Sequence, residues 1–270
     1  MKFNFYFENQ QKLCCCRAFL KYAMTLTTLS LGTSSLETLD VLTYNKVMNA
    51  WQMCEQNNSD LSFSPSKNAE EILDYLCAQH EAGVEGLLPN DVSFSICIHS
   101  WCKSPQPDAI DRAVEILRKK EAFSKKESSV FMKITDWNTV ISKLREYPAE
   151  GPDRASKLFE ELIVRYNETQ DGRSAPTTVT LNALLDVYAK NTKPDSAEKA
   201  EGILNNMNQL YEDGKSSVLP DVISYRTCMD AWIRQRQPKT PNKVESLLHE
   251  MMEKYRKGRT DLLPDSNSFK

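Results

Sequence analysis

Three histidines and eight cysteines are the side chains of this 270-residue chain with the means to hold a metal or to pair a nucleophile with a base. Their placement points to neither chemistry. Cys97 and Cys102 are separated by four residues with no second pair at metal-ligand distance, and His80, His99 and His249 fall at unrelated places. No paired carboxylates, nucleophile arrangement or glycine-rich phosphate loop stands out, so the expectation is a non-enzyme without cofactor or metal. Cations with a better claim to chemistry are Arg226, Arg234 and Arg236, within a stretch 222–270 that carries 10 Lys/Arg against 6 Asp/Glu; residues 40–90 carry 2 against 8. These arginines are the better candidates for contacting phosphate. The basic run from Arg118 to Lys126 reads instead as a solvated helix face. With a net charge of −3, the chain lacks the basic excess that would indicate nucleic acid unaided.

The elements that would position any site repeat. Bulky anchors recur at Tyr44, Phe94, Trp137, Leu181, Tyr225 and Phe269, at intervals of 50, 43, 44, 44 and 44 residues. Apolar residues follow each anchor at three, four and seven, in the sets Tyr44/Val47/Met48/Trp51, Phe94/Cys97/Ile98/Trp101, Trp137/Val140/Ile141/Leu144, Leu181/Leu184/Leu185/Tyr188 and Tyr225/Cys228/Met229/Trp232. That spacing is one face of an α-helix. Thr43, Ser93, Asp136, Thr180, Ser224 and Ser268, each directly before an anchor, are expected to cap it. Upstream, Pro89, Pro176, Pro220 and Pro264 halt what precedes. A second helix follows in each unit, with the faces Ala69/Ile72/Leu73/Leu76, Ala113/Ile116/Leu117, Ala155/Leu158/Phe159/Leu162, Ala200/Ile203/Leu204/Met207 and Val244/Leu247/Leu248/Met251. Pro65, Pro107, Pro152, Pro194 and Pro241 lie in the connections, Thr240-Pro241 reading as a cap and a first-turn proline, and a longer link through 56–60 accounts for the interval of 50. The expected fold is all-α: an α-solenoid of tandem helical hairpins, because a lone hairpin of short helices buries too little to be stable.

The units run 40–90, 91–133, 134–177, 178–221 and 222–265, with a partial sixth at 266–270 that gives the chain a truncated look. Cys97 and Cys228 occupy slots held by valine or leucine in other units and read as small core hydrophobes. Residues 1–39 fall outside the repeat; poor in acidic residues and rich in Ser and Thr, they are compatible with an organelle transit peptide, an upstream remnant being the rival reading. No apolar run approaches a membrane span, so no membrane partner is expected.

The string Pro220-Asp-Val-Ile-Ser-Tyr225, preceded by Ala200-Glu-Gly-Ile-Leu-Asn-Asn-Met207, resembles the pentatricopeptide repeat family, as do Asp40-Val-Leu-Thr-Tyr-Asn45 and Thr178-Val-Thr-Leu-Asn182. The resemblance covers roughly 40–270, with units longer than the family's usual one. It implies an organellar solenoid, in a mitochondrion or plastid and otherwise cytoplasmic, that reads single-stranded RNA at about one base per unit during RNA processing, stabilisation or translation. By that resemblance the reading residues are Asn45, Ser95, Asn138, Asn182 and Arg226, just after each anchor, paired with Asn90, Lys133, Thr177, Asp221 and Asp265 at each unit's end. Leu42, Val92, Val179 and Ile223 would sandwich bases, Thr135 departing from the pattern. Asn182 with Asp221 implies uracil; Asn45 with Asn90 and Asn138 with Thr177 lean towards pyrimidines; Ser95/Lys133 and Arg226/Asp265 fit no clear rule. A carboxamide offers both a donor and an acceptor, which suits the base edges that single-stranded RNA exposes. The rival expectation is a helical-repeat scaffold for protein partners that binds no RNA.

Overall fold

The computed structural model describes residues 40–55, 64–191, 193–214 and 218–263, and among these all regular structure is helical. Ten α-helices follow one another: α1 Val41–Glu55, α2 Pro65–Glu81, α3 Asp91–Lys103, α4 Ala109–Ser124, α5 Ile134–Lys143, α6 Gly151–Thr169, α7 Thr178–Lys190, α8 Ser196–Glu212, α9 Val222–Gln235 and α10 Thr240–Arg256. They fall into two compact units, Met1–Met132 and Lys133–Lys270. In the first, α1 pairs with α2 and α3 with α4, and α3 packs on both α1 and α2. In the second, α5/α6, α7/α8 and α9/α10 are the hairpins; α7 packs on α5 and α6, and α9 on α7 and α8. No described helix is long and apolar enough to cross a membrane.

The expected apolar faces are the core. Tyr44, Phe94, Trp137, Leu181 and Tyr225 are all buried, as are the residues seven further on. Of the two sets of faces, Val47, Phe159, Ile203, Val244 and Leu248 are only half-buried. Cys97 and Cys228 are wholly buried, and burial pushes the Cys228 thiol up to about 12. A further core position went unread: Leu87, Val130, Ser174, Val218 and Leu262, each three residues before a unit's end position, are all buried. They sit in short linkers rather than in a periodic helix, so spacing alone does not reveal them.

The helix starts differ from expectation. Each first helix begins three residues earlier, and the residue before the anchor stands at its third position rather than at its cap. The caps are Asn90 for α3, Thr177 for α7 and Asp221 for α9, each directly after a buried proline. Lys133 holds that place before α5. The reason is a reciprocal box: the Asn90 and Asp221 side chains accept from the Ser93 and Ser224 amides, while the serine hydroxyls accept from the cap amides at 3.2 and 3.1 Å. Likewise Lys239, not Thr240, precedes α10, and Thr240 donates to the Trp232 carbonyl. Pro65, Pro152 and Pro241 lie in first turns, where a missing N–H costs nothing. Between α5 and α6 the chain turns so tightly that a Cβ on Gly151 would collide with the Leu144 carbonyl.

One side chain overturns its reading outright. Within the basic run, Lys120 is completely buried, with its ammonium bonded to the Asp91 carboxylate. Position 120 continues the face Ala113/Ile116/Leu117 into the slot of Leu76, Leu162, Met207 and Met251. Arg118, Lys125 and Lys126 are exposed as expected. Residues 1–39, the link through 56–60, Pro264, Asp265, Ser268 and Phe269 lie outside the described residues.

Candidate functional site

Each first helix carries two of the expected positions within its opening turn and a half. The apolar sandwich position is the second helical residue and the reading position the fifth, so the two adjoin on the helix surface. Leu42, Val92, Val179 and Ile223 are 60, 47, 63 and 50% exposed, among the largest exposed hydrophobics of the described chain. Thr135, in the same slot, is exposed too. An apolar side chain left in water at one equivalent place in four hairpins contributes nothing to the core. The same surface position is thus apolar in four of the five described hairpins.

Next to it, two hairpins build the same polar clasp. In the first unit, Asn45 Nδ2 donates to Asn90 Oδ1 at 3.1 Å, and Asn45 Oδ1 accepts from Ser93 Oγ at 2.7 Å. In the second, Asn182 Nδ2 donates to Asp221 Oδ1 at 3.1 Å, and Asn182 Oδ1 accepts from Ser224 Oγ at 2.6 Å. The paired reading residues are thus brought into contact, and each pair is fastened to the capping box of the next hairpin. Asn45 is almost fully buried by this arrangement and Asn182 half-buried. Sequence reading missed Ser93 and Ser224 as members of the site, since it assigned them only to caps. The signal present was the hydroxyl shared by both copies.

The remaining positions depart from that pattern. Asn138 Oδ1 is buried with no hydrogen-bond partner: Thr180, the counterpart of Ser93 and Ser224, accepts from its cap amide as they do, at 3.1 Å from Thr177, but does not donate to the carboxamide of the preceding hairpin. The pair Asn138/Thr177 is therefore not closed as the other two are. Ser95 Oγ accepts from the Lys120 ammonium at 3.2 Å, and its backbone carbonyl accepts from His99 Nδ1. Lys133 stands ahead of α5 and is half-buried. Arg226 is half-buried at the start of α9, while Arg234 and the exposed Arg236 lie at its other end, about 12 Å along the axis. The structure does not gather these three arginines into one phosphate site.

The histidines go separate ways: His80 meets Glu127 at 3.1 Å, His99 bonds within its own helix, and His249 is exposed. Set against known protein families and against curated proteins, the chain matches none.

Proposed function

We propose that this chain is a single-stranded RNA-binding protein of the pentatricopeptide repeat type, its hairpins stacked as an α-solenoid that takes about one base per hairpin. Organellar RNA processing, stability or translation is the setting that the resemblance implies. The observation that carries this reading is the coincidence, at one end of the same helix, of an exposed apolar residue and a clasped carboxamide in two hairpins that are not neighbours: Leu42 with Asn45/Asn90, and Val179 with Asn182/Asp221. A base needs both things, a surface to stack on and a polar edge to pair with.

Counting donors supports the base assignment. Asn182 spends one N–H on Asp221 Oδ1 and keeps a second, while Asp221 keeps Oδ2 as an acceptor. A donor beside an acceptor complements uracil, with its O4 and its N3–H. At the other clasp the partner is Asn90, whose Oδ1 is turned towards Asn45 and Ser93, leaving its amine to donate. Two donors complement cytosine, whose N3 and O2 both accept. Because stacking and base contacts are worth roughly 1–3 kcal/mol per base and few hairpins carry the clasp, micromolar affinity is the expected order.

Fluorescence anisotropy with pyrimidine-rich and purine-rich 10-mers tests the reading. Tighter binding of the pyrimidine-rich strand, lost in the Asn45→Ala/Asn182→Ala variant, is the expected result. Equal or undetectable binding of both strands removes it. A variant that loses RNA yet keeps a bound protein partner would show two faces, and one that never bound RNA would leave the scaffold as the reading.

A further inference from the structure

Hairpin five, α9/α10, leaves one face of α10 uncovered among the described residues. Val244 stands in the slot of Ala69, Ala113, Ala155 and Ala200, and those four alanines are wholly buried while Val244 is half-buried. Leu248 is half-buried in the slot of Leu73, Leu117 and Leu204, which are wholly buried, and of Phe159, which is not. Met252 and Tyr255, further along α10, are half-buried as well. At 3.6 residues per turn these four side chains fall within about 80° around the helix axis, an apolar stripe about 16 Å long. An alanine lets the next hairpin come close; the valine of α10 departs from that design. Along one edge of the stripe stand two exposed charges, Glu245 and Arg256, about 20° apart around the axis and three turns apart along it. Glu245 occupies the slot of Glu70 and Glu201, whose carboxylates are held by Arg112 and Lys243 of the following hairpin. The ion pairs within α10, Lys254 with Glu250 and Lys257 with Glu253, include neither Glu245 nor Arg256.

The stripe and its edge are complementary to themselves. A two-fold axis that pairs two such helices antiparallel brings the same edge of each together. With the axis passing close to position 250, Leu248 of one copy meets Met252 of the other and Glu245 meets Arg256, each contact being made twice. A slot that takes a cation from the next hairpin elsewhere in the chain then takes one from a second molecule. We propose that α10 is a self-association surface, through which two copies of this chain pair antiparallel with Glu245 of each held by Arg256 of the other. One helix face, about 25 by 10 Å, falls well short of the roughly 800 Å² per partner of a standard interface. The dimer is therefore weak, dissociating on the order of tens of micromolar. It is independent of the RNA reading, since α10 carries none of the reading or sandwiching residues.

Sedimentation equilibrium of the full chain across about 1–200 micromolar tests the proposal. The mass is expected to rise from monomer to dimer and no further, because a contact of this symmetry closes on itself. Glu245→Arg and Arg256→Glu, each of which sets like charges opposite one another, are expected to weaken the dimer by about tenfold or more. The exchange Glu245→Arg/Arg256→Glu is expected to restore it, and Leu248→Asp to give monomer throughout. Circular dichroism checks that each variant is folded. Should Leu248→Asp unfold, the charge variants, at exposed positions, decide alone. A parent that stays monomeric at every concentration overturns the inference and leaves the stripe to a partner of another kind. A mass that climbs past the dimer overturns it in favour of head-to-tail association. A dimer that the single charge reversals do not weaken, or that the exchange does not restore, overturns it by placing the contact elsewhere on the molecule.

Discussion

Lys120 and Asp91 show what a single side chain's surroundings do to its meaning. Removing only the lysine leaves a nine-tenths-buried carboxylate without its cation, so Lys120→Met is expected to cost about 3–5 kcal/mol. Asp91→Val/Lys120→Met, which copies Val222 and Met251 of hairpin five, is expected to be neutral or stabilising by about 1–4 kcal/mol. Urea midpoints of the two variants check both signs, and a milder loss for the single than for the double variant would contradict the account. The slot of Lys120 was legible in the repeat, three residues after Leu117. What hid its burial was its company, Arg118, Lys119, Lys125 and Lys126, which makes the run look solvated, and the position of its partner 29 residues upstream. The carboxamides tell the same story more gently. Asn45 and Asn182 were found by their place after the anchor, but that each is bolted to a serine some 40 residues later is a statement about distance, not order.

At the level of the helices, apolar spacing located every hairpin, and misjudged only where each first helix begins. Capping residues stand at both the cap and the third position, because the box uses both, and a list of residue types does not say which is which. Hairpin three is where the carboxamide clasp is incomplete, Asn138 Oδ1 having no hydrogen-bond partner. Thr177→Asp places at the cap of α7 the residue that α9 has in Asp221, an acceptor for the Thr180 amide and for Asn138 Nδ2, and a negative charge at a helix start. The expected gain is about 1 kcal/mol in chemical denaturation, and no gain would mean that Asn138 is not within reach of the cap. A second repeated device was not anticipated. The Trp101 and Trp232 indoles donate to Glu70 and Glu201 on the preceding second helices, which are in turn bonded to Arg112 and Lys243 on the following ones. Tyr188 meets Ser156 in the same register. Burial raises the Glu70 carboxyl even with Arg112 against it, so this brace is fully formed only once Glu70 has ionised.

Within each compact unit, the closely packed helix pairs among the described residues lie within one hairpin or between successive hairpins. Polar links between successive second helices, such as Lys119 to Asp74 and Lys239 to Glu198, are substantially exposed and worth about 0–1 kcal/mol each. The apolar faces therefore supply most of the cohesion. A solenoid, the arrangement proposed for these hairpins, loses cooperativity as it lengthens, so urea unfolding followed by circular dichroism and by tryptophan fluorescence is expected to give non-coincident transitions. A single shared midpoint would argue instead for one cooperative globule. Covalent order alone determined the helical class, the number of hairpins and the buried anchors, because a period of 44 residues and apolar spacings of three and four are properties of a line of residues. Only the tertiary structure decided which opening residue caps each helix, where the carboxamides spend their hydrogen bonds, and that one lysine of a basic run lies in the core, since hydrogen bonds and desolvation act across about 5 Å of space between residues remote in the chain.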